Sequence, residues 1–187
     1  MIGRILPVVA GVLLSAGVAQ AGNLALSFND LSAQLAVGQT ITEDGRGHSE
    51  LGVRGLFNNR KDTNLFSAGL DVLGPMGKTG LELGAGVRGY YVDSDGAKIS
   101  GAGLGALLRF VPPGFSKASF AASLSYCPKI FTGMDGERML DTEIKAAYEI
   151  VPRATAFLSY TEIKANIEDL GERTLDDSLR VGLSLSF

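Results

Sequence analysis

Ser178-Leu-Arg-Val-Gly-Leu-Ser-Leu-Ser-Phe187 closes the chain with a strict two-residue period. Leu179, Val181, Leu183, Leu185 and Phe187 fall on one face; Ser178, Arg180, Gly182, Ser184 and Ser186 fall on the other. That period belongs to an extended strand whose two faces meet different surroundings. The same rule runs back through the chain. In 81–91 the odd positions Leu81, Leu83, Ala85, Val87, Gly89 and Tyr91 oppose Glu82, Gly84, Gly86 and Arg88, and 102–110, 118–126 and 140–150 repeat the alternation. Further strands are expected at 49–58, 65–73 and 155–167, with a shorter pair at 24–28 and 32–39.

Strands of about ten residues cross a bilayer when tilted. The less apolar face of these segments is mostly glycine, serine and alanine with isolated charges, which suits a crowded lumen better than a water-facing surface. The expected fold is therefore all-β, an antiparallel up-and-down transmembrane β-barrel of eight long strands, or ten with the short hairpin. A soluble lipocalin-like barrel alternates too, but with its apolar face inward. Turn formers at 74–80, 112–117 and 152–153 predict short connections on one rim. Polar stretches at 59–64, 128–137 and 168–177 predict longer loops on the other, with 93–97 a tight exception. Tyr91, Phe110, Tyr126, Tyr148, Tyr160 and Phe187 sit near strand ends on the apolar side, as aromatic girdles do.

Composition narrows the function. The chain has 187 residues, 45% hydrophobic and 20% charged, which excludes disorder. Its 25 glycines are close to twice the usual share of about 7%, with no three-residue period to suggest collagen. A net charge of -3 offers no basic excess for phosphates, so no nucleic-acid partner is expected. One cysteine and one histidine leave no disulfide framework and no metal cluster, and no cofactor is expected. Residues 1–21 carry Arg4, an apolar run interrupted by Pro7, and Ala19-Gln20-Ala21 before Gly22. This reads as a secretory signal peptide, leaving 22–187 as the barrel and placing it in the outer membrane of a Gram-negative bacterium.

The charges expected in the lumen are Glu50, Arg54, Asp71, Glu82, Arg88, Arg109, Asp141, Glu143, Lys145, Glu149 and Arg180, six acidic and five basic. Pairing among them would plug the interior rather than line a wide pore. Gly84 and Gly86 near Gly101, Gly103 and Gly105 would leave room for long side chains from across the barrel. Gly84-Ala-Gly-Val-Arg-Gly89 fits a dinucleotide fingerprint, but more strand follows where a helix would be needed. Asp93-Ser-Asp-Gly96 lacks the later ligands of a calcium loop and reads as a turn. In His48-Ser49-Glu50, neighbouring residues on a strand point to opposite faces, so His48 and Ser49 cannot meet as base and nucleophile. Cys127 is expected as an unreactive rim thiol, and the acidic stretch 162–177 as a solvated loop. No catalytic, cofactor or metal residue is assigned.

The terminal Phe187 resembles the assembly signal of bacterial outer-membrane proteins, which implies the barrel-assembly machinery as a partner. The glycine alternation of 81–92 and 101–110, Tyr126-Cys127-Pro128-Lys129 at a strand end and the closing 181–187 together resemble the YfaZ family of small outer-membrane proteins. That resemblance implies an outer-membrane barrel and brings no established catalytic or ligand residues. The function expected is a non-enzymatic barrel with an envelope-structural, surface-interaction or narrow-pore role. It would be a monomer among outer-membrane lipid and lipopolysaccharide. The alternatives are a lipid-modifying acyl hydrolase and a soluble periplasmic lipocalin-like binding barrel.

Overall fold

Ten antiparallel wall positions close on themselves in the computed structural model, which describes residues 22–168 and 170–187. In chain order the strands are β1 (Gly22–Phe28), β2 (Ser32–Asp44), β3 (Gly47–Asn58), β4 (Thr63–Pro75), β5 (Leu81–Ser94), β6 (Ala97–Phe110), β7 (Ala118–Cys127), β8 (Thr132–Met134), β9 (Gly136–Val151), β10 (Ala154–Ile167) and β11 (Gly171–Ser186). β7 and β8 share one position, because both pair with β6 and a 3-10 turn, Lys129–Phe131, bulges between them. β1 pairs with β11, and Gly22 and Phe187 exchange backbone hydrogen bonds of 2.8 and 2.9 Å. Closure leaves no sheet edge unpaired. The ten-strand alternative is the one observed. β2 outruns its expected end at Gln39 because a register shift between Thr40 and Thr42 lets its polar Thr-Glu-Asp end stay paired to β3. The expected signal peptide, 1–21, lies outside the described residues.

The apolar positions face out. Leu104, Val87, Ile144, Leu158, Val181, Leu183 and Leu185 are all exposed on the outer wall. In β5 the outward run from Leu81 to Tyr91 takes ten steps of about 3.3 Å, which at a tilt of about 40° stands about 25 Å tall. Above it stand Phe28, Phe57, Phe66, Tyr91, Tyr126 and Tyr160, with Phe66 directly opposite Tyr91. At the lower edge Phe110 is paired with Phe120, and Tyr148 and Phe187 complete the ring. A belt of that height with aromatic borders is a lipid-facing surface. The barrel is a membrane-spanning one, and the inward-apolar lipocalin arrangement is reversed.

Loop lengths depart from expectation in part. Both chain ends lie on the lower rim, where 152–153 is a two-residue turn as expected and 45–46 is another, yet 76–80 and 111–117 there are no shorter than 59–62, 95–96 and 168–170 on the upper rim. The expected acidic loop 168–177 is mostly strand: β11 starts at Gly171, and Asp176 is fully buried in the interior. A bulge opposite Ile163 and Lys164 turns both Leu175 and Asp176 inward.

Glycines on the inner wall make room, but for neighbouring strands rather than for side chains from across the barrel. Asp71 lies over Gly86, Arg88 over Gly69, Glu50 over Gly38 and Phe157 over Gly182. A methyl group on Gly182 would meet the Phe157 ring and stand 2.6 Å from the Leu26 carbonyl, whereas nothing lies within 4 Å of one on Gly55. Gly182→Ala is therefore expected to destabilise the barrel by about 1–3 kcal/mol through overpacking, with Gly55→Ala near neutral. Urea titration of the heat-modifiable folded band on gels measures both.

Candidate functional site

The interior is built in layers. At and above the level of the upper girdle the wall turns apolar side chains inward from nearly every strand. Leu56, Leu65, Tyr90, Val92, Ala97, Ile99, Cys127, Met139, Ile163, Ala165, Ile167 and Leu175 form one buried cluster across the bore. This septum makes Cys127 a fully buried core residue rather than a rim thiol. Part of it was visible in the sequence: in Tyr90-Tyr91-Val92 and Leu65-Phe66 the alternation gives way to apolar residues of both parities near the upper strand ends.

Beneath the septum a charged strut crosses the lumen. Arg54 reaches from β3 to Asp141 on β9, with Glu143 at 3.8 Å, and the Tyr90 hydroxyl donates to Asp141 at 2.9 Å. Three strands are thereby tied through one carboxylate. A second knot lies against the β2–β3–β11 wall, where Arg180 donates to Asp176 at 2.6 Å and to Ser32 at 2.9 Å, and Asn58 also donates to Asp176. Both charged partners there are wholly buried. Asp176, Asn58 and Tyr90 lay outside the expected network. Asp176 was hidden by the bulge, and the two uncharged residues by the search for charges alone.

The remaining expected lumen charges lie lower. Arg88 pairs with Asp71 at 2.8 Å, and Lys145 with Glu143 at 3.2 Å while standing 4.9 Å over the Phe157 ring. Glu82 and Arg109, opposite each other in register, approach to 4.0 Å near the lower rim, where Arg109 is half exposed. Glu149 is on β9 near the same rim. Outside the belt, the hydrogen bond from Lys129 holds the Glu137 carboxyl below its ordinary range.

These side chains line a cup of about 370 Å³ that reaches Arg54, Arg88, Glu143 and Gln34 at its floor and Asn23, Ser184 and Ser186 near its mouth. Its mouth is at the lower rim and the septum closes its top. A smaller hollow of about 280 Å³ opens above the septum between Arg60, Lys61, Asp95, Ile167 and Arg173. His48 and Glu50 line the cup wall, while Ser49 between them belongs to the opposite face of β3. Among the described residues no cluster of three potential metal ligands occurs.

No protein-family model matches the chain, and no curated protein matches it. Among solved structures it is similar to KdgM porin in complex with disordered oligogalacturonate, at 10% identity and a TM-score of 0.49 over 89% of this chain and 99% of that one. It is also similar to NanC porin, at 12% identity and a TM-score of 0.43 over 90% of this chain and 100% of that one. A third likeness is to Pseudomonas aeruginosa OccK3, at 15% identity and a TM-score of 0.46 over 89% of this chain and 53% of that one.

Removing one partner of a buried ion pair strands the other. Arg54→Met is expected to cost about 3 kcal/mol or more, and Arg54→Met combined with Asp141→Leu distinctly less. Urea midpoints of the three folded proteins test this, and equal losses in single and double variants would show that the strut is not a pair.

Proposed function

We propose that the chain is a non-enzymatic outer-membrane barrel whose lumen is a narrow passage for small polar solutes, closed by the septum in the conformation described. The observation that carries this is a charge-lined cup separated from an outer hollow by a short apolar layer on the same axis. Along β5, Arg88 faces the cup and Ser94 the outer hollow, six steps or about 15 Å apart along the bore. With both ends on the lower rim, the cup faces the periplasm. In this reading the belt sits among outer-membrane lipid and lipopolysaccharide, the barrel-assembly machinery recognises Phe187, the barrel works as a monomer, and the YfaZ resemblance reflects membership of that family. The septum itself favours a second reading, a permanently sealed envelope-structural barrel.

Apolar constrictions block ions by excluding water. Planar-bilayer recording is expected to show the wild type closed for most of the record, and Leu56→Ser with Met139→Ser conducting steadily. Arg88→Gln in that background should shift selectivity toward cations. A gel-shifted, folded double variant that stays silent would sink the passage and leave the sealed barrel.

A further inference from the structure

We infer that the floor of the cup is a binding site for a small, uncharged, hydroxyl-rich solute of mono- or disaccharide size. The inference names the solute class for the lumen proposed above and rests on that reading's water-filled cup, though not on conduction.

Charge is already balanced at the floor. Arg54 is matched by Asp141 and Glu143, Lys145 by Glu143, and Arg88 by Asp71. An incoming ion would have to break one of these pairs, so a net charge gains nothing there. What remains unspent is neutral hydrogen-bonding capacity. Gln34 Oε1, Arg54 Nε and Ser67 Oγ are all buried and all without a hydrogen-bond partner, and Glu143 Oε1 has only its ion-pair contact. All four residues line the cup, and Ser67 is directly opposite Arg54 in the β3–β4 register.

An unsatisfied buried polar atom costs about 1–3 kcal/mol, so something that bonds in both directions belongs against this set. The set offers a donor, acceptors and a hydroxyl, and adjacent hydroxyl groups complement all three without disturbing an ion pair. The wall between floor and mouth is trimmed by Ala36, Gly52, Ala121 and Ala147, which keeps the bore open to the floor. At about 30 Å³ per water the cup has room for about a dozen waters, about twice the bulk of one monosaccharide and close to that of one disaccharide.

A chemical-protection assay on the refolded barrel tests this. In a Cys127→Ala background, Ala36→Cys places the sole thiol on the cup wall, opposite Arg54 in the β2–β3 register. Its rate of modification by a small cationic methanethiosulfonate is followed in tens of millimolar glucose, sucrose or sodium chloride. Glucose is expected to slow the reaction, by about twofold when its concentration equals Kd. Sucrose, whose volume the cup matches, should protect as well, whereas salt should leave the rate unchanged. Gln34→Ala with Ser67→Ala should abolish protection while leaving the unprotected rate. Absence of glucose protection at a reactive thiol, or equal protection in that double variant, overturns the site and leaves the passage standing. A thiol that the reagent never reaches overturns the water-filled cup and both proposals with it. Protection in a barrel whose septum variants never conduct keeps the site and removes the passage.

Discussion

Closure is the constraint from which the rest of this structure follows. Once β1 is hydrogen-bonded to β11 through Gly22 and Phe187, every inward side chain shares a bore of fixed width, and every outward one shares a single continuous surface. Ten strands leave too little room inside for an aqueous channel like that of a large porin, and too much for the interior to fill with small residues alone. The chain resolves this differently at its two ends. Toward the upper rim it fills the bore with apolar side chains, as a soluble core would. Toward the lower rim it lays long charged side chains flat along the wall, over glycines of the adjacent strands, and keeps the axis open.

Arg54 stands at the border between these regimes. Its guanidinium crosses from β3 to β9, beneath the septum and above the open cup, and the carboxylate it meets also accepts from Tyr90, whose ring belongs to the septum. One acidic group therefore anchors both the last apolar layer and the first polar one. The Arg180–Asp176 pair differs in kind, because both partners are sealed from solvent; Ser32 bonds Arg180, and Asn58 and Ser178 bond Asp176, while Arg180 Nη1 has no partner. Its work is to hold β11 in register past the bulge at Leu175, against β2 and β3. The first pair borders the cup, whereas the second is placed to hold strand order.

Period two was enough to place ten strands, the outward belt and much of the aromatic girdle, because lipid demands an apolar residue at every second position along the span. It was not enough for what happens above the lipid. There the outer face meets water and relaxes to Asp93, Lys98, Glu162 and Lys164, while the inner face becomes apolar, so the polarity of the two faces inverts within one continuous strand. A reading by alternation sees that inversion as a fading signal, and at 168–177 as a loop. The bulge that carries Asp176 inward adds a phase slip that local sequence does not announce. Network partners without charge, Tyr90 and Asn58, are likewise visible only when the opposite wall is in place.

The ladder of β6 is interrupted where the septum is attached. β6 pairs with β7 as far as Leu104 and resumes with β8 at Gly101, and the chain of Pro128–Phe131 fills the interval as an insertion. Pro128 has no backbone N–H to continue the ladder, so strand β7 ends with Cys127 turned inward. Small residues then let the septum close over the break. The Cys127 sulfur occupies the space a side chain on Gly103 would need, 2.7 Å from its Cβ position, and Ile99 does the same at Gly136, at 2.6 Å. Ile99, Cys127 and Met139 thus seal the bore beside the interrupted β6 ladder, whereas Leu56 and Tyr90 stand on unbroken ladders.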